Sequence, residues 1–389
     1  MHLSAPPLAL YLHFPWCVSK CPYCDFNSHA LHGELPQQAY LDALLADVTA
    51  QVGQVGSRSV SSLFLGGGTP SLFSPDAIGR LLEGLRERLA IDPAAEITLE
   101  ANPGTIERGR FQDYRAAGIT RVSVGAQSFA PSLLERLGRI HSAGDTHMAA
   151  EELHASGLNN FNLDLMSALP GQDLDGALTD VRTAIELAPA HISHYQLTME
   201  PGTVFGGRPP AGLPDDDLAF EMQLQCQQQL AAAGYRQYET SAYARPGAQC
   251  AHNLNYWRFG DYLGVGAGAH GKITSNADQS ITRTVREREP RRYLARGHQG
   301  APVPMPVKDA ELPFEFMMNA LRLVDGFDEE LYESRTGLAW ETVAANVGRL
   351  AGRGLLIRAG EAGGWQPTEL GRRFLNDLIS EFLPVPSGG

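Results

Sequence analysis

The sequence predicts an α/β protein: a partial (β/α)6 barrel followed by a small C-terminal α+β domain in winged-helix-like order. Three observations predict it. Six short β-rich runs alternate with amphipathic helical stretches over the first 235 residues. A glycine-rich span of less regular pattern follows. From Leu312 a compact helix–turn–helix–strand–hairpin–helix order begins. Six β-then-α units in a row imply a parallel sheet with right-handed crossovers, and six rather than eight leave the barrel open. A doubly wound open sheet is the alternative.

The strand-like runs are Leu8–Leu12, Val60–Leu65, Glu96–Glu100, Thr120–Gly125, Phe161–Leu165 and His191–Leu197. Stretches of helical period lie between them, among them Gln38–Val52, Pro75–Leu89 and Leu174–Leu187. Ser74 before Pro75 reads as an N-cap with proline at the first helical position, and Gly118 and Gly157 stand where helices should stop. The run from Gly206 to Gly212 suits neither helix nor strand. A helix from Asp215 to Ala233 follows. Helix Ala339–Ala351, strand Leu355–Arg358, a Gly-rich hairpin and a final helix Glu369–Leu383 complete the C-terminal unit. The expected division is a barrel over 1–235, a connecting region over 236–310 and a C-terminal domain over 311–389.

Composition mainly excludes. The chain has 31 Lys+Arg against 44 Asp+Glu, a net charge of −13, so binding to nucleic acid through a general phosphate-facing surplus is not expected. The winged-helix-like unit repeats this, with seven Arg against twelve Asp and Glu over 311–382. No apolar run approaches the roughly 18 residues of a membrane span, and the first residues lack a basic stretch leading into a long apolar core. The expected location is the cytoplasm, with room for a peripheral position at the inner face of the membrane. Three of the five cysteines, Cys17, Cys21 and Cys24, fall within eight residues, a spacing that no disulfide framework requires in a non-secreted chain.

Those three thiols follow the first strand on a proline-punctuated loop, His13-Phe14-Pro15-Trp16-Cys17-Val18-Ser19-Lys20-Cys21-Pro22-Tyr23-Cys24. They can converge on one centre. Tetrahedral zinc would need a fourth ligand, from His13 or His29. A [4Fe–4S] cluster on three cysteines would leave one iron open to an exchangeable ligand. The spacing C-x3-C-x2-C, with Tyr23 before the last cysteine, resembles the radical S-adenosylmethionine (radical SAM) superfamily. That resemblance implies a cluster on Cys17, Cys21 and Cys24, with adenosylmethionine chelated at the open iron and cleaved to an adenosyl radical when the cluster is reduced.

In a barrel of this kind, function gathers at the C-terminal ends of the strands. Polar or special residues stand there: Gly66-Gly67-Gly68-Thr69-Pro70, Glu100-Ala101-Asn102-Pro103, Gly125-Ala126-Gln127-Ser128-Phe129, and Asp164 among apolar residues. Missing side chains at 66–68 would let backbone amides approach a ligand. Together with Tyr11, His13, Asn162-Leu163-Asp164 and Leu169-Pro170-Gly171-Gln172, these resemble the coproporphyrinogen-dehydrogenase branch of that superfamily. The resemblance implies that Tyr11, Gly67, Gly68, Thr69, Glu100, Gln127, Arg139 and Asp164 bind adenosylmethionine.

Two departures separate the groups within the branch. The dehydrogenases carry a fourth cysteine two positions after the third, and here that position is Phe26. The stretch His252-Asn253-Leu254-Asn255-Tyr256-Trp257 is similar to the H-N-x-x-Y-W motif of the HemW group of haem chaperones. A neutral imidazole can ligate haem iron, and Tyr256 and Trp257 offer flat apolar surface. The resemblance therefore implies haem as cargo, His252 as its ligand, a respiratory or membrane haemoprotein as acceptor, and leaves a homodimer open. Anaerobic decarboxylation of coproporphyrinogen III and a zinc-stabilised binding module are the alternatives. Cys250 as second haem ligand, and Arg283, Arg286, Arg288, Arg291 and Arg292 as partners of propionates, are weaker expectations.

Overall fold

The computed structural model describes residues 3–105, 110–297, 300–360 and 363–384. Its centre is one curved sheet. The six expected strands are present as β1 (Leu8–Phe14), β2 (Val60–Gly67), β3 (Ile91–Ala101), β4 (Arg121–Gln127), β5 (Phe161–Ser167) and β6 (His191–Gln196). Each pairs in parallel with the next. Leu-, Val- and Ile-rich runs buried on both faces are what a parallel strand under helices requires, and Leu8, Leu10, Leu12, Leu63, Leu65, Leu99, Val122, Val124, Leu163 and Leu165 are all buried.

Helices close the crossovers, and the expected signals at Ser74, Gly118 and Gly157 stand at the ends of three of them. The helices are α1 (Gln37–Val55), α2 (Pro75–Arg86), α3 (Arg110–Ala117), α4 (Pro131–Arg136), α5 (Ala143–Ser156) and α6 (Leu174–Glu186). The Ser74 side chain accepts from the Ala77 amide at the start of α2, and Gly157 ends α5 in the left-handed conformation at φ 77°.

The span 236–310 is built into the same sheet. Among the described residues the order is β12-β11-β10-β9-β1-β2-β3-β4-β5-β6-β8-β7. Here β7 is Arg236–Glu239, β8 is Ala242–Ala244, β9 is Asp261–Val265, β10 is His270–Ser275, β11 is Ser280–Val285 and β12 is Met305–Pro306. β9 lies parallel to β1 and so adds a seventh parallel strand, while β10 to β12 on one side and β7 and β8 on the other are antiparallel additions. After β6 come α7 (Asp216–Ala232) and, before β9, the short α8 (Ala251–Trp257), which carries the H-N-x-x-Y-W stretch.

Two of the five arginines of the Arg-rich stretch are bound into this frame, while Arg288, Arg291 and Arg292 are exposed. Arg286 forms a buried ion pair with Asp47 of α1, whose carboxylate also accepts from Tyr293 Oη at 2.9 Å. Arg283 pairs with Glu315 and donates to Tyr262 Oη at 2.7 Å. Neither guanidinium is spare for a propionate.

The C-terminal unit follows the expected order with one helix more before the hairpin: α9 (Leu312–Ala320), α10 (Glu329–Thr336), α11 (Glu341–Gly352), hairpin β13 (Leu356–Ala359) and β14 (Gly364–Pro367), then α12 (Glu369–Arg373) and α13 (Leu375–Ser380). Residues 361–362 of the expected hairpin and 385–389 lie outside the described residues. The single final helix expected over Glu369–Leu383 is two, because Phe374 leaves the helical region at φ −109°, ψ 38°. Its core, around Phe316, Tyr332 and Val347, takes in Leu3, Phe259 and Ile281 from the rest of the chain, which ties the unit to the barrel.

Candidate functional site

The cysteine loop leaves the C-terminal end of β1 and folds on its own hydrogen bonds. Lys20 Nζ donates to the carbonyls of Phe26 at 3.2 Å and Ser28 at 2.9 Å, and the Cys24 amide donates to Cys21 O at 3.2 Å. The loop is fastened to the sheet by Asn27. Its Nδ2 donates to Ala267 O at 2.9 Å and to Arg288 O at 2.8 Å. Its carbonyl receives His13 Nε2 at 3.0 Å, and His13 Nδ1 meets Tyr11 Oη at 3.0 Å. Asn27 gave no sequence signal beyond its place three residues past the last cysteine.

All three thiols are half-buried and free. Burial pushes the Cys17 thiol up, a hydrogen bond from Thr69 opposes that, and neighbouring Cys24 and Cys21 push it further up. Arg139 Nη1 donates to Cys21 Sγ at 3.6 Å and Nη2 to Gly125 O at 2.7 Å. Its Nε is buried with no partner among the described residues. Among those residues no group of three His, Cys, Asp or Glu is gathered tightly enough to hold a single metal ion. The thiolates of a cubane bind separate corners, so they stand further apart than the ligands of one ion.

Glycines 66–68 answer to crowding. At Gly67 (φ 108°) a Cβ would overlap the His13 ring, and at Gly68 it would lie 2.6 Å from both Phe14 O and Trp16 O. Their amides are engaged: Gly67 N donates to Glu100 Oε2 at 2.9 Å, Gly68 N to Phe14 O at 2.6 Å and Thr69 N to Trp16 O at 2.7 Å. The expectation that these amides lie open to a ligand is thus corrected. Side chains supply the open polar groups instead.

Two buried carboxyls, Glu100 on β3 and Asp164 on β5, are near enough for the charge of one to act on the other. Burial pushes Glu100 up to about 8, opposed by the Gly67 amide and reinforced by Asp164. Asp164 is likewise raised by burial, although it accepts from Asn162 Nδ2 at 2.8 Å and Ser123 Oγ at 3.1 Å. Tyr11 is held far above its ordinary range by burial and then by Glu100. Gln127 holds φ at 66°, a conformation few side chains accept without compensation, and Gly125 lets its amide and the Arg139 guanidinium pass close by. Contacts and charge therefore link Tyr11, Gly67, Glu100 and Asp164 to one another, Cys17 to Thr69, and Arg139 to Cys21 and, past Gly125, to Gln127.

His252 arrives from the opposite end of the barrel. The first amides of α8 are held by Glu96 midway along β3, with Ala251 N at 2.9 Å and His252 N at 3.4 Å from Oε1. The imidazole lies against β1 and β2, stacked on Phe64 at 5.0 Å and 6.3 Å from the Tyr11 ring. Nδ1 meets Ser62 Oγ at 3.2 Å, whereas Nε2 is buried without a partner among the described residues. Burial, aided by the Arg121 cation, lowers its pKa to about 3, so the ring is neutral. Tyr256 packs edge-on against it at 5.0 Å, and Trp257 lies under the Arg322 guanidinium at 4.4 Å. Cys250 is buried with its thiol on Glu96 and pushed up to about 12, which makes it a poor source of thiolate.

Residues 11–184 match the Radical SAM superfamily, and residues 307–374 match the HemN C-terminal domain. Over 381 residues the chain is 50% identical to the heme chaperone HemW of Escherichia coli, covering 98% of this chain and 99% of that one. The chain belongs to the HemW family. The Haemophilus influenzae member is 48% identical over 97% of this chain and 98% of its own. The bovine mitochondrial radical S-adenosyl methionine domain-containing protein 1 is 36% identical over 90% of this chain and 81% of its own. The coproporphyrinogen III oxidase HemN of E. coli, a solved structure, superposes with a TM-score of 0.81 over 97% of this chain and 90% of that one. At 23% identity that likeness shows the fold, which is the radical SAM fold with a HemN-type C-terminal domain. Membership in the radical SAM family implies a [4Fe–4S] cluster and adenosylmethionine.

Proposed function

We propose that the chain is a haem chaperone that takes haem on His252 and hands it to a respiratory or membrane haemoprotein. The observation that carries the reading is the state of His252: a neutral ring with Nδ1 engaged by Ser62 and Nε2 left without a partner. That is the form of imidazole that ligates haem iron. The printed names of the E. coli and H. influenzae relatives support it. His252 is 2% exposed, so a macrocycle reaches Nε2 only when α8 swings away from β1 and β2.

At the other end of the barrel Cys17, Cys21 and Cys24 would hold the cluster. Tyr11, Thr69, Glu100, Gln127, Arg139 and Asp164 would hold adenosylmethionine, while Gly67 and Gly68 let His13, Phe14 and Trp16 pack close behind them. The fit rests on the buried, unpartnered Nε of Arg139 and on the two raised carboxyls. When bound, the cluster supplies the electron that cleaves the cofactor. Arg139 keeps a cation beside the Cys21 sulfur and has an N–H spare for a carboxylate. Glu100 and Asp164 accept from hydroxyl or ammonium donors, and the Thr69 hydroxyl steadies the Cys17 thiolate. The working location would be the cytoplasm, with transient contact at the membrane face during transfer. Among the described residues no helix is long and apolar enough to cross a membrane.

Haem titration and anaerobic turnover on one reconstituted sample test the assignment. Haem shifts the Soret band, His252→Ala weakens that shift, and coproporphyrinogen III yields no protoporphyrinogen. Substantial decarboxylation would overturn the carrier reading. Size-exclusion of the same sample with and without cluster reads whether two copies associate.

A further inference from the structure

One hydrogen-bonded chain runs through the barrel from Asp164 to the first turn of α8. Asp164 Oδ1 accepts from Asn162 Nδ2 at 2.8 Å, and Asn162 Oδ1 meets His191 Nδ1 at 2.6 Å. His191 Nε2 meets Tyr238 Oη at 2.9 Å, and Tyr238 Oη accepts from the Cys250 amide at 3.3 Å. His191 is wholly buried and Tyr238 and Asn162 nearly so.

The chemistry of the end group sets the direction of every bond. A carboxylate only accepts, so the Asn162 amide nitrogen faces it and the Asn162 oxygen faces His191. His191 then carries its proton on Nδ1, where it donates to that oxygen. Burial keeps the ring neutral, so Nε2 is bare and the Tyr238 hydroxyl donates to it. The Tyr238 oxygen is left to accept the Cys250 amide. All four donors therefore point towards Asp164, and bonds aligned in this way strengthen one another. Ser193 Oγ, donating to Asn162 at 3.1 Å, and Ser123 Oγ, donating to Asp164 at 3.1 Å, point the same way.

We propose that Tyr238 is a positioning residue that makes the haem-binding helix answer to the cofactor site. The inference rests on the reading of Asp164 as a cofactor contact and of His252 as the haem ligand. A hydroxyl or ammonium donor placed on Asp164 competes with Asn162 for the carboxylate, weakens the aligned chain and loosens its hold on Cys250. α8 is closed over His252 in the resting state, so its opening taxes haem affinity by the fraction of molecules that are open. Cofactor binding lowers that tax. Glu96 keeps its own grip on Ala251 and His252, so α8 stays folded when the Tyr238 bond goes.

The test is haem titration of the full-length, cluster-reconstituted protein, with the cluster kept oxidised so that adenosylmethionine is not consumed. In the native sequence adenosylmethionine tightens haem binding by about fivefold or more, and haem tightens adenosylmethionine by the same factor. Tyr238→Phe binds haem more tightly than the native protein without cofactor and no longer responds to it. His191→Leu, which breaks the chain on the other side of the Tyr238 hydroxyl, gives the same ratio near one. A purely structural tyrosine would lower both affinities and leave their ratio alone. Tyr238→Phe that responds to cofactor as the native protein does, with His252→Ala still weakening haem, overturns the relay alone. Haem binding indifferent to His252→Ala overturns the underlying reading and the relay with it.

Discussion

Glu100→Gln isolates a proton that the cofactor site must give up. Burial holds the Glu100 carboxyl at about 8 against an ordinary 4.5, so at pH 7 only about one molecule in eleven carries the carboxylate. If a cationic or hydroxyl donor needs that carboxylate, binding at pH 7 is about tenfold weaker than on the alkaline plateau, about 1.4 kcal/mol. At pH 6 it is about a hundredfold weaker. The cofactor's own amino group titrates in the same range, near 8, so the quantity to read is the ratio of affinities of native protein and Glu100→Gln at each pH. Equilibrium dialysis of adenosylmethionine under anaerobic conditions between pH 6 and 9 supplies it. The ratio should climb about tenfold per pH unit up to 7, bend near 8 and flatten by 9. The same group carries a stability signature of definite sign. Its folded pKa is raised, so between about 4.5 and 8 the folded state holds a proton that the unfolded state has lost, and stability through this group falls as pH rises. An affinity ratio constant across the range would refute the argument, because it would mean that Glu100 is ionised throughout or does not touch the cofactor.

Three further predictions follow from single contacts. Arg286→Met strands the fully buried Asp47 carboxylate and should cost about 3–5 kcal/mol in urea unfolding, with most of it restored by Asp47→Leu/Arg286→Met; a double variant as unstable as the single would show that the pair is not the cause. Asn27→Ala removes two bonds worth about 1 kcal/mol each between the cysteine loop and the β9–β11 region, and should lower iron and labile sulfide per chain after reconstitution while far-UV circular dichroism stays native. Cys17→Ser should abolish the cluster's visible absorption yet keep a His252-dependent Soret shift, since thiols and imidazole stand at opposite ends of the barrel; equal loss of both would mean that the two sites are one.

Short runs rich in Leu, Val, Ile and Phe, set between stretches of helical period, made the six parallel strands legible even though Ser62, Thr98, Ser123, Asn162 and His191 lie buried among them. The seventh, β9, carries no such run. It opens on Asp261, which is fully buried, and contains Gly264. Read locally, Asp-Tyr-Leu-Gly-Val is a loop. It is a strand because Arg58, Lys272 and Thr274 come to that carboxylate at 2.8, 2.9 and 2.8 Å, two of them from β10 and one from 203 positions away. Phe374 is a parallel case: nothing in the helical period of 369–383 announces that the backbone turns there.

The site divides along a similar line. Cys17, Cys21, Cys24, Glu100 and Asp164 could be named because each is an unusual residue at a strand end, where chain order alone fixes which face it serves. His191 and Tyr238 could not, and Asn162 only as part of the Asn162-Leu163-Asp164 stretch, since each taken singly is an ordinary buried polar residue satisfied by a neighbour, and their shared direction is conferred only by the fold. His252 stands between the two kinds. Its chemistry was readable from the motif, but its enclosure was not: Phe64, Tyr11 and Tyr256 close on the ring, and Ser62 takes one nitrogen. On the proposed reading, a ligand atom kept dry and unpartnered is ready for iron but shut off from haem, so capture and release would both be motions of α8. Whatever holds its first turn, Glu96 on one side and Tyr238 on the other, would then govern haem traffic as directly as the histidine itself.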